Sequence, residues 1–250
     1  FLMLPALLAA CSDARAARRQ LQDSECASRA AHDGQMSREV HINRDFMSPR
    51  SRARRAAHSM HPRFITIHST ANPKGDAAAL PGIEKGGHGV LNWHFTVDQY
   101  RAVQHIPLNE TGRHADRGGP GDMYSIGIEM GGKDHNPIVT WNRSAKLTAV
   151  LMKQYHIPLR NVVPHYYWTG KNCPAPLLTN GRPGHKWSWF ISRVDYYYRC
   201  LQAEDNTAAY AARPFAASGI KKAEMFQEGT GITSFPENMH WLNTGNSAHL

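Results

Sequence analysis

One stretch of the chain brings together residue types suited to metal chemistry: His165-Tyr-Tyr-Trp-Thr-Gly-Lys171-Asn-Cys173-Pro174. Imidazole nitrogen and thiolate sulfur are both good zinc donors, and the seven residues between His165 and Cys173 make a loop able to bring them to one ion. Two protein donors do not hold a catalytic zinc, so a third must come from elsewhere. His68 is the candidate: it ends the alternating segment Phe64-Ile-Thr-Ile-His68 and is followed by Ser69-Thr70. A histidine at a strand end projects into a site more readily than one inside a helix. Two imidazoles and one thiolate leave the fourth position of a tetrahedral ion for water, the arrangement that hydrolysis requires. Taken without His68, the His165–Cys173 pair suits a structural ion, or none, equally well.

Hydrolysis also needs a group to collect the proton of water. Glu129 lies in Ser125-Ile-Gly-Ile-Glu-Met130, and strand alternation sends its side chain to the face opposite Ile126 and Ile128. A cleft on that face gives it chemical work; a plain surface carboxylate at a strand end is the bland alternative. A zinc ion with two neutral imidazoles and one thiolate carries net charge +1, so a nearby carboxylate is tolerated. His88, His105, His135, His156 and His185 read as surface or loop histidines.

The elements that must position these groups begin near Arg63. Phe64–His68 and Asn92–Asp98 alternate as strands, and Arg101–Pro107 completes a hairpin with the second. Ser125–Met130 is a further strand, bounded by Gly119-Pro-Gly121 and Gly131-Gly132. Ala145, Leu147, Val150, Leu151 and Tyr155 predict a helix over 144–156, with Ser144 as N-cap. Trp187, Phe190, Ile191, Val194 and Tyr198 predict a second helix from His185 to Leu201, with Tyr196-Tyr-Tyr198 mostly in packing. Strands alternating with helices give an α/β domain with a mixed central sheet flanked by helices.

The 250 residues carry 29 Lys+Arg against 20 Asp+Glu, a net charge of +9. That surplus suits an anionic polymer. Ten of the arginines lie before residue 61, and the segment 12–61 has no sustained apolar period; it reads as a polar, Arg-rich tether. Phe1–Ala10 is an apolar run of signal-peptide length ending in Leu8-Ala9-Ala10-Cys11. This looks like a truncated export signal with a lipobox, giving a lipid anchor at Cys11. After Leu201 periodicity fades, so 202–250 reads as a loosely ordered tail. No apolar run reaches the length of a membrane-spanning helix. Pairing of Cys26 with Cys200 is disfavoured, since Cys26 falls in the tether.

Five motifs occur in one order: Phe64-Ile-Thr-Ile-His-Ser-Thr70, Trp93-His-Phe-Thr-Val-Asp98, Gln104-His-Ile-Pro-Leu-Asn-Glu110, Tyr124-Ser-Ile-Gly-Ile-Glu129 and His165–Pro174. Together they resemble the zinc-dependent N-acetylmuramoyl-L-alanine amidases of the type-2 amidase family. Relatives of that family include phage lysozyme-type amidases and peptidoglycan recognition proteins. The resemblance spans roughly 62–201 and implies that fold. It implies one zinc ion on His68, His165 and Cys173, with Lys171 stabilising the developing oxyanion and Glu129 as general base. One branch of the family uses a Tyr as base at the position of Trp93; an indole nitrogen cannot accept a proton, which leaves the task to Glu129. Trp93 and His114 are implied as substrate contacts, and His94 as either a substrate contact or a support behind the metal ligands. Relatives often read Trp-His-Ala-Gly where this chain reads Arg113-His114-Ala115-Asp116, so the groove differs there. Pro81-Gly82 interrupts a helix expected between Lys74 and His88.

The expected activity is hydrolysis of the amide joining the lactyl group of N-acetylmuramic acid to L-alanine, by an exported bacterial monomer. Its place would be periplasmic or outer-membrane lipoprotein, with secretion as the alternative. The partner is peptidoglycan rather than nucleic acid, because an arginine run gives no reason for a His/Lys/Cys loop. A non-catalytic peptidoglycan receptor of the same fold is the rival; it typically lacks a zinc ligand, whereas this chain keeps all three.

Overall fold

The computed structural model describes residues 26, 35–55, 57–70, 77, 91–131 and 136–211. The described residues all fall within the unit Phe1–Ala212; the segment 213–250 lies outside the described residues. So do the apolar start with Cys11 and nearly all of 74–88.

A six-stranded mixed sheet runs through the unit in the order β1-β4-β3-β5-β2-β6. The strands are β1 (Ile42–Arg44), β2 (Phe64–Ser69), β3 (Phe95–Val97), β4 (Ala102–Gln104), β5 (Ser125–Met130) and β6 (Val162–Pro164). The hairpin of β3 and β4 is antiparallel; every other neighbour pair is parallel. β5, β2 and β6 therefore end on the same side, and the crevice outside the carboxyl ends of parallel strands is where α/β sheets bind ligands.

The two faces of β2 and β5 divide the labour. Ile65, Ile67, Ile126 and Ile128 are fully buried on one face. They join one core with Leu147, Ala149 and Leu151 of α4 (Pro137–Tyr155) and with Phe190 and Val194 of α6 (His185–Ala211). The opposite face carries Phe64, Thr66 and His68 in register with Ser125, Gly127 and Glu129. Trp168, on the short helix α5 (Tyr166–Thr169), covers that face, donating to Thr66 Oγ1 at 2.9 Å and standing edge-on to Phe64. The site thus sits on the polar face, above a sheet anchored by apolar side chains behind it.

Both long helices exceed their sequence-predicted bounds. α4 starts at Pro137, because the Asn136 side chain caps it by accepting from Ile138 N–H, and Ser144 is buried mid-helix rather than capping. The helix stops at His156, which adopts the left-handed conformation. α6 runs ten residues past Leu201, to Ala211.

The expectation of a tether over 12–61 does not hold for the described part of it. Helix α1 (Gln35–Val40) leads into β1, which extends the sheet by pairing with β4. Arg143 of α4 donates to the carbonyls of Glu39, Val40 and Gln99, and Lys146 pairs with Glu39. Helix α2 (Arg52–Arg55) holds Arg54, whose guanidinium makes a bidentate pair with Glu110 at 2.7 and 2.8 Å and also donates to Met47 O. Cys26 is bonded to Cys200 of α6, against expectation, and is buried in the main core. Segment 35–60 shows no apolar period because three-residue β1, unlike the equally short β3 and β4, does not lie within a longer alternating run. Its anchors are also non-local, arginines reaching backbone carbonyls and a distant carboxylate; further upstream, the Cys26–Cys200 disulfide closes across 174 residues.

Candidate metal centre and active site

Three parallel strands deliver the chemistry at their carboxyl ends. His68 is the penultimate residue of β2, its register partner Glu129 the penultimate residue of β5, and His165 directly follows β6. Helix α5 then turns the chain through Gly170 in the left-handed conformation, returning Cys173 to the two imidazoles. The return is fixed by Tyr166 N–H donating to Cys173 O. One donor atom each from His68, His165 and Cys173 lies within 4.8 Å of the others. Nδ1 of His68 is 2.9 Å from Nδ1 of His165 and 3.8 Å from Cys173 Sγ. Tetrahedral zinc bonds of about 2.1 Å to nitrogen and 2.3 Å to sulfur separate such donors by roughly 3.3–3.6 Å. The donor set therefore fits zinc in identity and spacing.

All three donors are buried. Burial, with Lys171 and the neighbouring imidazoles, holds His68 well below the ordinary histidine range; burial and Lys171 also lower His165. Both rings are thus neutral, as metal ligands must be. Burial and Glu129 push the metal-free Cys173 thiol up to about 11.

Glu129 approaches the same point from the side. Its Oε1 is 3.9 Å from His68 Nδ1, while its Oε2 is buried and finds no hydrogen-bond partner among the described residues. Burial lifts its carboxyl to about 8 in the metal-free site, against the pull of Lys171. A buried acceptor left open beside a ligand cluster is where a water or substrate proton can be received.

A cavity of about 650 Å³ opens onto this cluster, lined among others by Trp93, Arg113, His114, Glu129, His165 and Lys171. Trp93 serves as a wall, its indole N–H spent on Thr96 Oγ1 at 2.8 Å. His94 does not reach the cavity. It is wholly buried, accepts from Gly127 N–H and faces Glu110 O, and burial takes it down to about 3. Of the two roles expected of His94, its burial fits the supporting one rather than substrate contact: its ring lies 5.8 Å from that of His114, which faces His68. His114 lines the cavity, but its nitrogens face His68 Nε2 at 3.0 Å and Ser125 O at 3.2 Å, so its role is inward too.

Residues not singled out from the sequence complete the surroundings. Asp122 is buried and accepts from the backbone N–H groups of His114, Ala115 and Gly118, while Asp116 accepts from those of Gly121 and Asp122. These two carboxylates hold the loop 113–122 rigid. Their signal was the clustering of Asp and Gly, which reads equally as an ordinary turn. Arg117 and Leu91 add a cation and an apolar edge to the cavity.

Residues 58–176 match the family described as N-acetylmuramoyl-L-alanine amidase. N-acetylmuramoyl-L-alanine amidase XlyA of Bacillus subtilis is 43% identical over 143 residues, covering 56% of this chain and 48% of XlyA. N-acetylmuramoyl-L-alanine amidase CwlH of the same organism is 35% identical over 198 residues, covering 77% of this chain and 74% of CwlH. The chain belongs to the N-acetylmuramoyl-L-alanine amidase family. The solved catalytic domain of XlyA superposes on this amidase-family chain with a TM-score of 0.57 at 40% identity, covering 62% of this chain and 99% of that domain. The mixed sheet flanked by helices is thus the fold of solved amidase domains. The segment matching the amidase family holds the whole site: His68, Trp93, His114, Glu129, His165, Lys171 and Cys173. The chain spans about half the length of XlyA.

Proposed function

We propose that this chain hydrolyses the amide between the lactyl group of N-acetylmuramic acid and L-alanine in peptidoglycan, using one zinc ion held by His68, His165 and Cys173. The observation that carries the reading is the convergence of two imidazoles and one thiol within 4.8 Å, at the mouth of a cavity that also holds Glu129 and Lys171. Zinc at that point supplies a Lewis acid that acidifies water and polarises the scissile carbonyl. Glu129 takes the proton of the attacking water on its open carboxylate oxygen and returns it to the departing alanine amine, which must leave neutral. Lys171 places an ammonium beside the carbonyl oxygen as negative charge develops there. Trp93 walls the groove, and Arg113 and Arg117 offer positive charge to the free carboxylates of a stem peptide.

Every group invoked comes from this chain, so the proposed chemistry asks for no residue of a partner subunit. The disulfide between Cys26 and Cys200 supports export to an oxidising compartment. Secretion is the localisation we favour; the lipid anchor rests on Leu8–Cys11, outside the described residues. Digestion of purified peptidoglycan tests the activity. New α-amino groups of L-alanine and intact glycan strands are expected, lost on chelation and restored by zinc. New reducing sugar ends in their place would refute the reaction assigned.

A further inference from the structure

His114 was expected at the substrate; its geometry makes it a partner of a ligand instead. Its Nε2 faces Ser125 O at 3.2 Å. A carbonyl only accepts, so that nitrogen carries the ring's hydrogen. A neutral His114 then presents Nδ1 as an acceptor, and His68 Nε2, 3.0 Å away, must donate to it. The hydrogen of His68 is thereby held on Nε2, and the lone pair falls on Nδ1, the atom 2.9 Å from His165 Nδ1 and 3.8 Å from Cys173 Sγ.

The ring of His114 sits in a place made for it. A Cβ on Gly127 would lie 2.8 Å from its ring carbons, and one on Gly112 would meet Cδ2 at 2.8 Å. The backbone N–H of His114 is captured by the buried Asp122 carboxylate at 2.8 Å, which also accepts from Ala115 N–H at 2.6 Å. Asp122 thus locks the backbone that carries the His114 ring against His68.

We propose that His114 is a positioning residue that commits His68 to bind metal through Nδ1, by a relay running from His68 Nε2–H to His114 Nδ1 and from His114 Nε2–H to Ser125 O. The proposal rests on the zinc reading above only for the consequence, since the relay itself is a property of the metal-free protein. Loss of such a partner to a ligating histidine typically weakens metal affinity by about 10–100-fold.

Two replacements separate orientation from packing. In His114→Gln, a carboxamide can accept from His68 through its oxygen and donate to Ser125 O through its nitrogen. In His114→Leu, similar volume is kept and both bonds are lost. Zinc affinity, measured by chelator competition, is expected to fall about 10–100-fold in H114L and to stay near wild type in H114Q. Nitrogen-15 spectra of the zinc-free wild-type protein should show His68 protonated at Nε2. Wild-type zinc affinity in H114L, equal losses in both variants, or a His68 hydrogen on Nδ1 would each overturn the relay; if H114L does not fold, the wild-type spectrum and H114Q still decide. A chain that binds zinc in this pattern but leaves peptidoglycan uncut would refute the activity and leave the relay standing. A chain that binds no zinc would refute the metal centre, while the spectrum would still test the relay.

Discussion

Replacing Cys173 by alanine is expected to remove zinc and amidase activity together while the fold persists. Among the described residues the sulfur is one of three protein donors that converge, and two imidazoles alone do not make the three-ligand site of a catalytic zinc. Losing a direct donor costs more than the roughly 100-fold that losing a ligand's hydrogen-bond partner costs. The substitution also trades a buried thiol for a smaller apolar group, so it buries no new polar atom. Metal content after dialysis, hydrolysis of muropeptides and the far-ultraviolet circular dichroism spectrum measure the three quantities. Retained zinc with retained activity would show that Cys173 is not a ligand.

Replacing Glu129 by glutamine is expected to separate metal binding from turnover. The carboxamide keeps the shape of the side chain at the end of β5 and removes its capacity to take a proton. General base catalysis contributes about 10²–10⁴-fold, and a loss of that size is expected in kcat with zinc content unchanged. Glu129 suits the role because its Oε2 is buried and without a partner among the described residues, while Oε1 lies 3.9 Å from His68 Nδ1. Trp93 cannot substitute for it, its only polar atom being the N–H already given to Thr96. Turnover at the parental rate in E129Q would move the base elsewhere.

The parts of this site that follow local rules were legible in the sequence. Alternation in Phe64–His68 and Ser125–Met130 gave two central strands, and the pairing of His68 with Glu129 follows from their parallel register. His68, His165 and Cys173 stood out as candidate donors by their chemistry, a strand end and the length of one loop, and the structure brings their donor atoms within 4.8 Å. What eluded the reading depends on contacts distant along the chain. β1 and β6 are three residues long and, unlike the equally short β3 and β4, do not lie within a longer alternating run. Segment 35–60 is held by Arg143 and Arg54, and composition does not say which carbonyl an arginine will find. His94 and His114 are alike as sequence. One is sunk in the interior between Gly127 N–H and Glu110 O, and the other lies between His68 and Ser125 O. Only the packing of the loop 113–122 over β5 distinguishes them.

The central claim is that two imidazoles and one thiolate share a single zinc and leave it one open position. X-ray absorption at the zinc edge of the loaded protein tests it most directly. One zinc per chain is expected, with two nitrogen donors near 2.0–2.1 Å, one sulfur near 2.3 Å and one further light-atom donor that exchanges with solvent. A spectrum without sulfur, or one with four protein donors and no exchangeable position, would contradict it.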